Sequence, residues 1–264
     1  MTSYLSAYDV KGKTALITGA GRGIGKGIAW VLAEAGVRCA INARTTRYVD
    51  PLVAEMQKAG YKAVSVIGDG TTQEGAYAMG KEALKKLGHI DILVNNIGDA
   101  VLKPLVPLPG KDPKNVMSDV DVKYQMDINF MNAVYVSRAL GPHLLKRRKG
   151  TVINIGSILG DMARKDTAVN AGAKAALHQF SKALAVEWAP YGITVNCIAP
   201  GYFPDEVTAG KEGVQEYVRL SKKHVPLKRI GELHEVGLLT LYMASDAASY
   251  MTGQVVYLDG GMTL

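Results

Sequence analysis

The stretch that most limits how this 264-residue chain can fold runs from residue 14 to residue 35. Residues 14–18, Thr-Ala-Leu-Ile-Thr, are a short apolar run with β-branched members. Gly19-Ala20-Gly21-Arg22-Gly23-Ile24-Gly25 follow at once, and an apolar pattern of helical period continues to Ala35. This reads as strand, glycine turn, helix. Glycines allow a tight turn and a close approach to the backbone, and the first N–H groups of the helix face whatever sits there, so a phosphate group suits the position. The spacing is G-x-x-x-G-x-G, not the commoner G-x-G-x-x-G.

The alternation continues along the chain. Strands are expected at 38–42, 63–68, 91–95, 151–155, 193–198 and 255–258, and helices at 50–59, 72–87, 120–149, from the region of Asn170 and Lys174 to Pro190, and at 232–244. The pattern predicts a single α/β domain over residues 1–264, a Rossmann-type doubly wound parallel sheet of about seven strands flanked by helices. An apolar content of 48% is enough for one large core. Residues 99–118 carry Pro104, Pro107, Pro109 and Pro113 around Gly110, which blocks regular structure. This loop leaves the carboxyl end of a strand, where ligands bind in such sheets, and is expected to be a substrate-facing flap. Residues 204–225, with Lys222, Lys223 and His224, read as a mobile helical lid.

Composition narrows the function classes. The net charge of +7 favours anionic partners. The densest basic run, Lys146-Arg147-Arg148-Lys149, falls at a helix C-terminus without interleaved aromatics, so it reads as a solvated helix end and no nucleic-acid partner is expected. Cys39 and Cys197 sit in β-rich apolar runs, the pattern of buried free thiols. Residues 1–13 lack the apolar core of a signal peptide and no stretch of about 18 apolar residues could span a bilayer, so a cytoplasmic protein without a membrane partner is expected. The five histidines are scattered as packing or surface residues, and no metal site is expected.

Ser157, Asn170 and Lys174 resemble the catalytic segment of the short-chain dehydrogenase/reductase superfamily. In that family a serine ends a strand, a tyrosine follows about thirteen residues later, and a lysine stands four beyond it on the same helix face. Here the tyrosine position holds Asn170. Asn129 matches the family's helix asparagine, Asn95-Asn96-Ile97-Gly98 its N-N-A-G motif, and Pro200-Gly201 its turn against the nicotinamide. The resemblance implies a nicotinamide cofactor held by Gly19, Arg22, Gly23, Ile24, Gly25, Asp69, Gly70, Asn96, Gly98, Lys174, Pro200 and Gly201, with Ile97 reshaping the cofactor floor. It also implies a small-molecule substrate and a homo-oligomer, dimer or tetramer. An acid at the end of the second strand would hold the ribose hydroxyls of NAD; this chain has Arg44 there and Arg22 nearby, so NADP(H) is expected. Asp205 stands where the family often has a phosphate-binding threonine.

The missing tyrosine decides which chemistry follows. Reducing a ketone leaves an alkoxide that needs a proton, which the family's tyrosine supplies beside the lysine. An asparagine amide does not titrate but can donate and accept hydrogen bonds. The first expectation is therefore an NADP(H)-linked reductase of a conjugated C=C bond, an enone or enoyl thioester, whose enolate is held by the Ser157 hydroxyl and the Asn170 amide with Lys174 behind them. The second is carbonyl or alcohol redox chemistry with another acid: Lys174 through a water, Asp161, Asp166 or Tyr202. The third is a nonredox lyase or cofactor-binding regulator.

Overall fold

The computed structural model describes residues 4–264. Seven strands, β1 (Thr14–Ile17), β2 (Arg38–Ala43), β3 (Ala63–Ile67), β4 (Ile92–Asn95), β5 (Gly150–Ile155), β6 (Ile193–Pro200) and β7 (Val255–Leu258), form one parallel sheet in the order β3-β2-β1-β4-β5-β6-β7. β1 pairs with β2 on one side and β4 on the other, so the winding reverses between β1 and β4 and opens a crevice at their carboxyl ends.

Strand residues are apolar on both faces because helices cover both. Ala15, Ile17, Cys39, Ile41, Ile92 and Val94 enter one core with helices α1 (Gly23–Glu34), α2 (Thr46–Lys58) and α8 (Leu233–Ala244). Leu16, Ala40, Leu93 and Val152 alternate with them into a second core with α3 (Gln73–Leu87), α5 (Asn132–Arg147) and α6 (Ala168–Trp188). The period of two across each strand thus feeds two separate helical layers. Cys39 and Cys197 are both buried free thiols, as expected, and burial pushes each up to about 12.

Two elements differ from the sequence reading. α2 begins at Thr46, ahead of the start expected at 50, and contains Pro51. The long helix expected at 120–149 is broken into α4 (Asp119–Met126), a π-helical turn (Asp127–Met131) and α5. Residues 204–225, expected to be a helical lid, do form a helix, α7 (Glu206–His224), kinked at Gly210, where φ is 69°; of its residues only Ser221 is buried. The basic run closes α5 as expected: Arg147 pairs with Asp91 at 2.9 Å and Arg148 donates to the Pro190 carbonyl.

Candidate active site

The glycine turn is shaped by what lies against it. Gly19 and Gly23 have φ of 60° and 56°, a conformation side chains resist. A Cβ on Gly25 would fall 2.5 Å from Asn96 Nδ2 and 2.6 Å from Ala20 Cα. Asn96 Nδ2 donates to the carbonyls of Thr18 and Gly19 and ties the end of β4 to the turn. Ile97 lies against Gly19 and Gly70, where a Cβ would come within 3.0 and 2.8 Å of it, so the bulkier residue fills the floor between those glycines. The cradle suits a diphosphate in shape and in its helix N-terminus. One group opposes it: the Asp205 carboxylate lies 3.1 Å from where a Gly23 Cβ would be. It also caps α7 by accepting from Val207 N and Thr208 N.

Cations gather at the end of β2. Arg22 and Arg47 both stack on the Tyr48 ring, 5.4 and 5.0 Å from its centroid, and Arg44 follows the strand. Among the described residues none of the three arginines pairs with a carboxylate. Asp69, expected beside adenine, is turned to local work: its Oδ1 accepts from Thr71 N and Oγ1.

Ser157, Lys174 and Asn129 converge at the carboxyl ends of β4 and β5. Ser157 leaves β5, and its Oγ accepts from Leu159 N at 3.1 Å, so the hydroxyl proton is free to point elsewhere. Lys174 is buried on α6 and donates to the Ile155 carbonyl at 3.0 Å. Burial brings its ammonium down to about 8. Nζ and Asn129 Oδ1 both lie 3.2 Å from the position a Cβ on Gly98 would take. The π-helical turn that carries Asn129 adds a residue to the helical ladder at this point, a distortion common at functional sites.

Asn170 lies in the same cluster, but with its donors turned inward. Its Nδ2 donates to the Asp99 carbonyl at 3.1 Å and to Gln125 Oε1 at 3.0 Å. A main-chain carbonyl can only accept, which fixes the amide orientation. Both N–H bonds are spent inside the protein, so the expected donation from Asn170 to a substrate oxygen is not available in this arrangement; what remains to offer is Oδ1, an acceptor. Of the alternative acids, Asp161 lies beside His178, Asp166 takes part through its main-chain carbonyl, which accepts from Lys103 N, and the Tyr202 ring packs against Arg164 and edge-on to Tyr217.

Residues 19–263 match the family model described as enoyl-(acyl carrier protein) reductase. The chain is 32% identical over 264 residues to gluconate 5-dehydrogenase of Gluconobacter oxydans, covering 99% of each. It belongs to the short-chain dehydrogenase/reductase family. As a member it is an oxidoreductase, and it is 36% identical to oxidoreductase UcpA of Escherichia coli over 96% of this chain and 95% of that one. Among solved structures of the family, gluconate 5-dehydrogenase from Burkholderia cenocepacia, in complex with NADP and tartrate, superimposes with a TM-score of 0.86 at 32% identity, covering 99% of both chains. The same values hold for a short-chain type dehydrogenase/reductase from Mycobacterium marinum.

Sequence reasoning missed several residues that the short-chain dehydrogenase/reductase fold brings to this site. Gln125 is fully buried, accepts from Asn170 and has an Nε2 without a partner. Asp99, directly after the N-N-I-G motif, supplies the carbonyl shared by Asn129 and Asn170, and its carboxylate accepts from Tyr124 Oη at 2.7 Å. That partner and burial push the Tyr124 phenol up to about 12, so it is no neutral-pH acid. Arg47 carried one usable signal, a third arginine just after the second strand; Gln125 and Asp99 carried none, since their partners are far away in sequence.

Proposed function

We propose that this short-chain dehydrogenase/reductase interconverts a secondary alcohol and a ketone on a small polar substrate with NADP(H), using Lys174 in place of the absent tyrosine as the source and sink of the proton. The observation that carries the reading is the direction of the Asn170 amide. With both N–H groups bound to Asp99 and Gln125, Asn170 is suited to accept from a substrate hydroxyl and poorly suited to hold an enolate. A polyhydroxy substrate offers such hydroxyls, in keeping with relatives named gluconate 5-dehydrogenase and galactitol 2-dehydrogenase.

The residues that fit the cofactor are those of the cradle, Gly19, Arg22, Gly23, Ile24 and Gly25, with Gly70, Asn96, Gly98, Pro200 and Gly201 around it. Arg22, Arg44 and Arg47 are unpaired cations that a 2′-phosphate would satisfy by charge-assisted bonds. NADPH, when bound, supplies hydride, and NADP accepts it. The Ser157 hydroxyl orients the substrate oxygen by donating to it, since Oγ only accepts in its bond from Leu159 N and the proton is left free. The Lys174 ammonium, through a water, gives that oxygen its proton below pH about 8, and the neutral amine takes the proton back above it. Ketone reduction should therefore weaken, and alcohol oxidation strengthen, as pH rises through about 8.

Reduction of a conjugated C=C bond is the second reading. It is favoured by the lack of any titrating group at position 170, because an enolate can be held by Ser157 and Lys174 alone and protonated on carbon by water. A panel of polyols, hydroxyketones, enones and enoyl thioesters, followed by nicotinamide absorbance, separates the two. Turnover of hydroxyketones and polyols ahead of alkenes is the expected result, and turnover of alkenes alone would replace the first reading with the second. The homo-oligomer that the family resemblance implies would be measured by light scattering.

A further inference from the structure

His178 lies one turn beyond Lys174 on α6, is 4% exposed, and belongs to none of the roles above. Its ring is slotted into the turn that carries Ser157: a Cβ on Gly156 would collide with Nε2, and one on Gly160 with Cε1. Glycine at both positions is what makes room for the imidazole. Nε2 accepts from the Ser157 main-chain N–H at 3.5 Å, a long hydrogen bond. Nδ1 is buried and lies 3.4 Å from Asp161 Oδ2, without the alignment of a hydrogen bond. An accepting Nε2 puts the proton of the neutral ring on Nδ1, toward the carboxylate.

We propose that His178 is a positioning residue that holds Ser157 in place through the Ser157 N–H, and that it does so only as the neutral Nδ1–H tautomer. Protonation of Nε2 would set two donors face to face and release the serine turn. The groups that face the ring are Asp161 from the turn after β5, Lys174 and Lys182 from its own helix, and Cys197 Sγ, which lies beside Gly156 from β6. Burial lowers the His178 pKa, and Asp161 opposes that shift. The neutral form therefore persists below the ordinary histidine range, and is lost as pH falls through the lowered value. Because the unfolded chain takes up the proton first, His178 also makes the fold less stable as pH drops below about 6.5.

The inference rests on the reading of Ser157 as the group that orients the substrate, and one measurement tests it without turnover. Histidine nitrogen chemical shifts of the full chain should show His178 as the Nδ1–H tautomer at neutral pH, titrating below the ordinary histidine range. With a substrate from the panel, His178→Leu should lower kcat by about threefold to tenfold, the weight of one hydrogen bond, with NADPH affinity kept. His178→Gln, whose amide accepts without titrating, should restore kcat and abolish the acid limb of the pH profile. Asp161→Asn, at an exposed side chain, should move that limb to lower pH. An Nε2–H tautomer in the spectrum, or an acid limb unchanged in both His178→Gln and Asp161→Asn, would overturn the proposal. If no substrate turns over, the functional reading fails and the spectrum still decides this one.

Discussion

The two halves of the crevice are built in different ways. On the side of the glycine turn the shape is set by close backbone packing: turn glycines against Asn96 and Ile97, arginines against Tyr48, and strand ends buried on both faces. On the substrate side the shape depends on long-range amide contacts among Asp99, Gln125, Asn129 and Asn170. It also depends on residues 96–118 and on α7, of whose residues only Ser221 is buried. Residues 96–118 form neither helix nor strand and are pinned where Lys103 N meets the Asp166 carbonyl, Met117 N meets the Pro104 carbonyl, and Lys103 Nζ pairs with Asp121.

The largest test of this division falls on Lys174, the residue that both halves share. Lys174→Met should reduce turnover by about 10²–10⁴-fold, the range of a lost general acid–base. Lys174→Arg should not rescue it, because a guanidinium does not release its proton near neutrality. The same substitution exposes a linkage. The folded ammonium loses its proton near 8, whereas the unfolded one keeps it to its ordinary value of 10.5, so the unfolded state binds more protons between those values. Denaturation of the parent should gain stability relative to Lys174→Met as pH rises across that window, and a flat difference would mean the amine is not desolvated.

On the cofactor side alone, Arg44→Asp should shift the NADPH to NADH preference by about tenfold to a hundredfold, one or two charge-assisted hydrogen bonds' worth. Arg47→Ala should shift it less in the same direction. Equal affinities in the parent, by fluorescence titration, would break the claim that this half fixes the cofactor.

Packing gives a third contrast. Gly25→Ala should cost about 1–3 kcal/mol by overpacking against Asn96 and Ala20. Gly172→Ala, on the exposed face of α6 with open space around its Cβ, should stabilise by about 0.4–1 kcal/mol. Urea midpoints report both. The smallest effect belongs to the contact between the halves: Asp205→Asn should tighten NADPH binding about twofold to fivefold by removing a like charge beside the glycine turn. Weaker binding would show that the carboxylate helps the turn more than it repels the phosphates.

Much of the glycine-turn half was legible in the sequence because its residue types carry their own structural signal. The apolar runs, the glycines at 19, 21, 23 and 25, and the arginines after the second strand can be read from residue type and spacing, although Asn96, Ile97 and Tyr48, against which they pack, come from elsewhere in the chain. Segment boundaries slipped only where a local rule was overridden, at Pro51 inside α2 and at the π-helical turn around Asn129. The identity of Asn170 was just as plain, and it removed the tyrosine acid at once.

What the sequence could not give was the direction of that amide. Its partners, Asp99 and Gln125, are 71 and 45 residues away, and only the packing of β4, α4 and α6 brings them within hydrogen-bond reach. The same holds for His178, unremarkable on a helix until the sheet set Ser157 and its two glycines around the ring. Residue type fixes which hydrogen bonds a side chain can make; tertiary structure decides which are already made, and so which remain for a substrate.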